Sequence, residues 1–327
     1  KQKTAYEIGV RLVGSEMCIR DRDSSGRQRV GCVMKLQDFD VYKDLLMKRS
    51  GLVITPDKSY LLDSRLTPVA KKWNFANLDA MSVALRGIPD SGLVKDIVEA
   101  MTTNETSFFR DQKPFDLFKQ TVLPHMLKAR SAARKVRIWC AASSSGQEPY
   151  SLSMLVRENQ ALMPGWGVEF LATDLSEDIL AQARSGLYSQ FEVQRGLPIN
   201  LLMKYFRQEG EKWRVCDDIR KMVKYDTFNL LESMTRLGKF DVIFCRNVLI
   251  YFDEPTKRKV LENMAALLPP DGFLFLGGAE TVFGITDKFK PMDNMRGIYI
   301  LSGGAHDKAP VAGAAAPPSL AVQPASR

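Results

Sequence analysis

The sequence predicts an α/β protein: a mostly parallel, doubly wound, Rossmann-like sheet with a small inserted β-subdomain, preceded by an all-helical domain. Three observations predict it. Beyond Lys135, short apolar runs of strand length alternate with longer helical patterns, as parallel sheets require. Before that point the apolar residues recur at helical spacing only. The first apolar run, 136–142, ends in Ser143-Ser-Ser-Gly146, and Pro149 behind it can open a helix at its first position.

In chain order, residues 1–33 are polar, arginine-rich and without sustained periodicity, and read as a non-native or disordered leader. They lack the apolar core of a signal peptide. The helical domain is expected over 34–103. Phe39, Tyr42, Leu45 and Leu46 define its first helix, which Gly51 stops. A second runs from 57 or 59 through Arg65 to Trp73, with Pro68 inside it. Asn77 can cap a third helix carrying Met81, Val83, Ala84 and Leu85, and a fourth spans 93–101.

The α/β domain is expected over 104–302. Strands are read at 136–142, 168–173, 222–226, 240–246, 273–277 and 297–301, with helices at 150–160, 177–185 and 255–268. The stretch 187–221 is too long for one crossover. It is read as the inserted subdomain, with a helix near 201–206 and short strands near 213–215. The Ala/Pro-rich end, 303–327, is expected to be disordered.

Composition bounds the function. Of 327 residues, 45% are apolar and 26% charged, as in soluble globular proteins. No apolar run reaches membrane-spanning length, so no membrane insertion is expected. Five dispersed cysteines without C-x-x-C spacing argue against disulfides and zinc and favour a cytoplasmic location. With two histidines, a metal site or His-based triad has little material, and no metal is expected. The net charge of +8 is interleaved with acids, so no nucleic-acid partner is expected.

The strand ends carry the chemistry. The loop after 136–142 matches neither G-x-G-x-x-G nor G-x-x-x-x-G-K-[ST], so no pyrophosphate or triphosphate cradle is indicated. Glu148 beside it would repel phosphate and suit a cationic ligand. S-adenosylmethionine, with a sulfonium, an ammonium and no phosphate, meets that requirement. Asp174 ends the second strand, where an acid can accept hydrogen bonds from ribose; the plainer alternative makes Asp174 or Ser176 a helix N-cap. Asn229, followed by Leu230, sits after the third strand and could meet an adenine edge. Arg246, Asn247 and Tyr251 follow the fourth, at the end that faces the ligand crevice. The linker holding Asn104, Thr106, Phe108, Phe109 and Arg110 could close over that crevice. Arg65, Lys71 and Lys72 form a basic group on the second helix, either a solvated face or a docking face.

Taken together, Thr-Asn-Glu-Thr-Ser-Phe-Phe-Arg, Ala-Ala-Ser-Ser-Ser-Gly-Gln-Glu-Pro-Tyr-Ser, Ala-Thr-Asp-Leu-Ser and Cys-Arg-Asn-Val-Leu-Ile-Tyr-Phe resemble the motifs of the chemotaxis receptor glutamate methyltransferases. The resemblance covers about 36–302 and implies a class I S-adenosylmethionine methyltransferase fold. It implies that Asn104, Thr106, Arg110, Glu148, Asp174, Asn229, Leu230, Arg246 and Asn247 line the cofactor site. Tyr251 would lie near the transferred methyl, and Arg110 and Tyr251 would align the reactants as the catalytic pair. The implied partners are the cytoplasmic methylation helices of chemotaxis receptors, met by Arg65, Lys71 and Lys72, with the enzyme a monomer. Family members often have Cys-Ser-Thr-Gly-Glu-Glu where this chain has Ser143-Ser-Ser-Gly-Gln147-Glu148. The inserted subdomain also looks short at Gly210, where some relatives use a longer loop to grip a receptor's C-terminal peptide. A glutamate acceptor, with a pKa of about 4.3, is already ionised at neutral pH and needs no general base. Two other readings stay open: methylation of a small molecule or RNA, and a non-catalytic module that binds S-adenosylmethionine.

Overall fold

The computed structural model describes residues 36–307; the leader expected at 1–33 lies outside the described residues. Four helices form the N-terminal unit: α1 (Leu36–Ser50), α2 (Ser59–Lys72), α3 (Leu78–Leu85) and α4 (Ser91–Met101). Each sits where the periodicity places it. Phe39, Tyr42 and Leu46 of α1 are buried against Leu62 and Leu66 of α2, Met81 of α3 and Ile97 of α4. Gly51 ends α1 at φ +74°, a left-handed conformation that favours glycine. The Asn77 side chain accepts the Ala80 N–H at 2.8 Å and caps α3.

Between this unit and the sheet, α5 (Lys113–Leu117), a π turn (Phe118–Val122) and α6 (Leu123–Ala129) run end to end. The sequence reading did not anticipate them. Pro114 and Pro124 interrupt the helical pattern there, but both fall in the first turn of their helices, where a missing N–H is harmless. Phe115, Phe118 and Val122 are fully buried and fix the segment on the sheet.

The α/β domain then follows: β1 (Lys135–Ala141), α7 (Gln147–Glu158), β2 (Gly167–Asp174) and α8 (Glu177–Ser185). The inserted subdomain comprises β3 (Leu187–Ser189), α9 (Gln190–Gln194), α10 (Ile199–Tyr205), β4 (Phe206–Glu209), β5 (Lys212–Val215) and α11 (Asp217–Arg220). The chain returns through β6 (Val223–Thr227), β7 (Val242–Cys245), α12 (Glu254–Leu267), β8 (Phe273–Leu276), β9 (Phe289–Met292) and β10 (Met295–Leu301).

The large sheet has the order β6-β2-β1-β7-β8-β10-β9. The first five of these strands are mutually parallel, and β10 is antiparallel to both β8 and β9. All six expected strands occur. The seventh, β9, is a short edge strand whose Pro291 removes a ladder donor, which is why pattern alone did not find it. Residues of β1 alternate between two cores. Val136, Ile138 and Cys140 pack with Phe118, Tyr150 and Phe244, while Trp139 and Ala141 pack with Ile243, Val260 and Met264 on the α12 side.

The inserted subdomain is a three-stranded antiparallel sheet, β3-β5-β4, with Tyr188 opposite Trp213 and Trp213 opposite Gln208. Gly210, at φ +61°, and Glu211 alone connect β4 to β5. At the C-terminal end, residues 303–307 were expected in the disordered tail, but they fold back. The Ala305 N–H donates to the Pro270 carbonyl at 2.9 Å, and the His306 ring lies 4.6 Å from that of Phe273. The remaining tail residues, 308–327, lie outside the described residues.

Candidate active site

A cleft of about 1030 Å³, counting its open mouth, lies at the C-terminal ends of β1, β2, β6 and β7. The helical unit and the linker close its other side through Ser50, Leu52 and residues 102–106. Asn104, Thr106, Arg110, Glu148, Asp174, Asn229, Leu230, Arg246, Asn247 and Tyr251 all line it. Residues more than 140 positions apart therefore meet where a doubly wound sheet presents its ligand crevice.

The loop after β1 turns sharply, with Ala142, Ser144 and Gly146 at φ +55°, +50° and +90°. Asp174 holds it. One carboxylate oxygen accepts the Ser144 N–H at 2.8 Å and the other the Ser176 N–H at 3.2 Å. Burial raises the Asp174 pKa, and these backbone donors oppose the rise. The helix cap on α8 is Ser176, whose hydroxyl accepts the Ile179 N–H. Asp174 is thus the loop's anchor, and its carboxylate keeps acceptor capacity toward the cleft. A Cβ at Gly146 would lie 2.6 Å from the Tyr225 hydroxyl, so glycine alone fits there. From the inserted subdomain, the Tyr188 hydroxyl donates to the Ser145 carbonyl at 2.6 Å and braces the same loop. Gln147, the departure from the family pattern, is buried and accepts from the Ser145 hydroxyl at 2.7 Å.

Glu148 opens α7 and faces Arg246 across the cleft floor, 2.8 Å apart. Burial pushes the Glu148 carboxyl upward, and Arg246 pulls it back. The Arg246 side chain is 2% exposed. It also donates to the Arg110 carbonyl at 2.9 Å and to Asp111 at 2.8 Å, and lies over the Phe115 ring. Arg246 is therefore a buried tie between α7, the linker and β7. Arg110 itself donates to the Glu105 carbonyl at 2.8 Å, and Glu105 pairs with Arg195 at 2.6 Å.

Asn247 stands at φ +60°, and its N–H donates to Glu280. Sequence reading missed Glu280; the only signal was an acid after Gly277-Gly-Ala at the end of β8. The Asn229 side chain donates to the Arg49 carbonyl at 2.7 Å and accepts the Leu231 N–H at 3.0 Å. It joins the helical unit to the sheet, and one amide hydrogen is left for a ligand. Tyr251 lines the cleft, and its carbonyl accepts the Val53 N–H at 2.9 Å.

The three cations of α2, read from the sequence as a solvated or a docking face, separate. Arg65 departs from the expectation. Its guanidinium turns inward, donating to the Met101 carbonyl at 2.9 Å, the Thr102 carbonyl at 3.2 Å and the Thr103 hydroxyl at 3.3 Å. It satisfies orphan carbonyls at the end of α4 and supports the wall of the cleft. Lys72 pairs with Asp96 at 2.7 Å yet remains 67% exposed, and Lys71 is exposed.

The donor set fits S-adenosylmethionine. Among the described residues no lysine or histidine lines the cleft; three carboxylates do, together with Arg110 and Arg246, the latter paired with Glu148. The Ser143 hydroxyl is buried there with no partner. Asp174 would take the ribose and Glu148 would favour positive charge. Among the described residues, no cluster of three or more His, Cys, Asp or Glu is placed to hold a metal.

Strand order, the reversed β10 and this crevice define a class I S-adenosylmethionine methyltransferase fold. The CheR methyltransferase, SAM binding domain, matches residues 104–298. Chemotaxis protein methyltransferase Cher2 of Pseudomonas putida is 38% identical over 265 residues, covering 80% of this chain and 96% of that protein. Chemotaxis protein methyltransferase 1 of Pseudomonas aeruginosa is 41% identical with the same coverage. Its Vibrio cholerae namesake is 41% identical over 78% of this chain and 92% of its own. The chain belongs to the CheR methyltransferase family. Magnesium protoporphyrin IX methyltransferase from Synechocystis, a solved structure with bound S-adenosylmethionine, is 19% identical at a TM-score of 0.27, covering 53% of this chain and 64% of that one.

Proposed function

We propose that this protein transfers a methyl group from S-adenosylmethionine to glutamate side chains of chemotaxis receptors. One observation carries the reading: the cleft is lined by carboxylates, serines and asparagines and contains no histidine. Both histidines of the chain, His125 and His306, lie at the other edge of the sheet beside Asp271, just before β8. An acceptor that needs deprotonation would require a base, and the three cleft carboxylates are engaged by Arg195, Arg246 and the Ser144 and Ser176 N–H groups, whereas a glutamate is ionised already. Bound S-adenosylmethionine would supply an electrophilic methyl on a sulfonium. Asp174 would hold the ribose, and Asn104, Thr106, Asn229, Leu230, Arg246 and Asn247 would complete the cofactor wall. Arg110 and Tyr251 would align the acceptor carboxylate, so that rate comes from positioning and exclusion of water. The relatives named for chemotaxis support a receptor as substrate. Lys71 and Lys72 would meet an acidic receptor helix, and a cytoplasmic monomer fits this assignment.

The test is incubation with tritiated S-adenosylmethionine and receptor-containing membranes. Label released by alkali identifies a carboxyl methyl ester. Alkali-stable label on RNA or a small molecule would replace this assignment, and bound cofactor without transfer would leave a signalling module.

A further inference from the structure

We propose that Glu280 is a positioning residue for the methyl-transfer site, acting through the turn that carries Asn247 and Tyr251; the inference rests on the methyltransferase reading above. The Glu280 carboxylate accepts four backbone N–H groups. One oxygen takes Asn247 at 2.8 Å and Gly277 at 2.6 Å. The other takes Val248 at 2.9 Å and Leu249 at 2.7 Å. The residue is buried, at 8% exposure, and among the described residues no lysine or arginine pairs with it. Four converging amide dipoles substitute for a cation, as in anion-binding nests.

The geometry says what this does. The β7 ladder ends at Cys245, so the N–H groups of Asn247, Val248 and Leu249 have no strand to donate to. Glu280 collects all three and, with them, the left-handed Asn247. Leu249–Tyr251 follows at once as a single helical turn, so the Tyr251 ring is aimed by the same bonds. The fit is tight: a Cβ at Gly277 would lie 2.7 Å from the Glu280 carboxylate and 2.8 Å from the Asn247 amide. The cage is anchored behind by the Tyr299 hydroxyl on the Glu280 carbonyl at 3.3 Å. Asn247 and Tyr251 both line the cleft, whereas Glu280 does not.

Glu280→Gln keeps the shape but places an NH₂ group where two N–H donors now point. We expect S-adenosylhomocysteine to bind at least tenfold more weakly and kcat to fall at least tenfold. The deciding readout is a pair of double-mutant cycles, one on S-adenosylhomocysteine affinity with Asn247→Ala and one on kcat with Tyr251→Phe. Acting through the turn, Glu280→Gln should cost less than threefold further in either background. Full additivity in both cycles would overturn the proposal and leave Glu280 a general stabiliser. If Glu280→Gln does not fold, Glu280→Asp, which keeps the charge but is one methylene short, carries the same cycles. The affinity cycle needs no acceptor, so it stands or falls independently of the receptor assignment.

Discussion

Replacing Arg246 with methionine tests the floor of the cleft. The substitution removes the guanidinium that donates to Glu148, Asp111 and the Arg110 carbonyl. An exposed pair such as Lys43–Asp40 would contribute about 0–1 kcal/mol. Arg246 is 2% exposed and Glu148 12%, so its loss strands a buried carboxylate. Stranding of that kind costs about 3–5 kcal/mol, a large share of a domain's roughly 5–15 kcal/mol of stability. Urea unfolding reads the loss. Glu148→Gln added to Arg246→Met should restore at least about 1 kcal/mol, because the stranded charge is gone. The pH dependence has a defined sign. Burial already raises the Glu148 pKa, and without Arg246 it rises further. The native state then binds the proton more tightly than the unfolded chain, so stability is lost as pH rises above the unfolded value of about 4.3. The deficit of the single variant should therefore shrink on acidification from pH 7 toward 5. A loss below about 1 kcal/mol, or strict additivity of the two substitutions, would refute the reasoning.

Asp174→Ala should weaken S-adenosylhomocysteine binding by about tenfold or more, since a hydrogen bond to a charged group contributes roughly 1.5–3 kcal/mol; unchanged affinity by calorimetry would leave Asp174 the loop anchor alone. Exchanging Lys71 and Lys72 for glutamate should raise the KM for receptor, more so at low salt, with only a small drop in Tm from loss of the Lys72–Asp96 pair. Arg65→Glu should instead lower Tm, because it breaks the bonds to residues 101–103. Burial, then His306, lowers the His125 pKa, so the unfolded chain binds the proton first and stability falls as pH drops below about 6.5. With the side chain 37% exposed the slope should be shallow, and His125→Gln should flatten it in thermal melts. With only Gly210-Glu211 between β4 and β5, the inserted subdomain should not bind a receptor C-terminal pentapeptide at micromolar affinity; saturable calorimetric binding near 1 μM, about −8 kcal/mol, would contradict this.

The sequence by itself determined the frame. Glu177–Ser185 forms the helix its pattern predicts, Gly51 and Asn77 end and begin helices as their chemistry requires, and β1 alternates between two cores as its apolar run implies. Local periodicity and capping decide such features, because the signals lie within a few residues of each other. The residues lining the cleft were legible too, since strand ends in a doubly wound sheet converge on one edge. What each of them holds was decided only by tertiary structure. Arg65 reads as a surface cation in the sequence, yet its partners stand 36 to 38 positions away. Asn229 reads as a ligand for adenine, yet it bonds Arg49, 180 positions back. Glu280 leaves almost no trace in the pattern, because three of the four amides it gathers come from a loop over 30 residues earlier. Buried charge must find donors wherever the packed chain brings them, and that pairing is a property of the assembled fold.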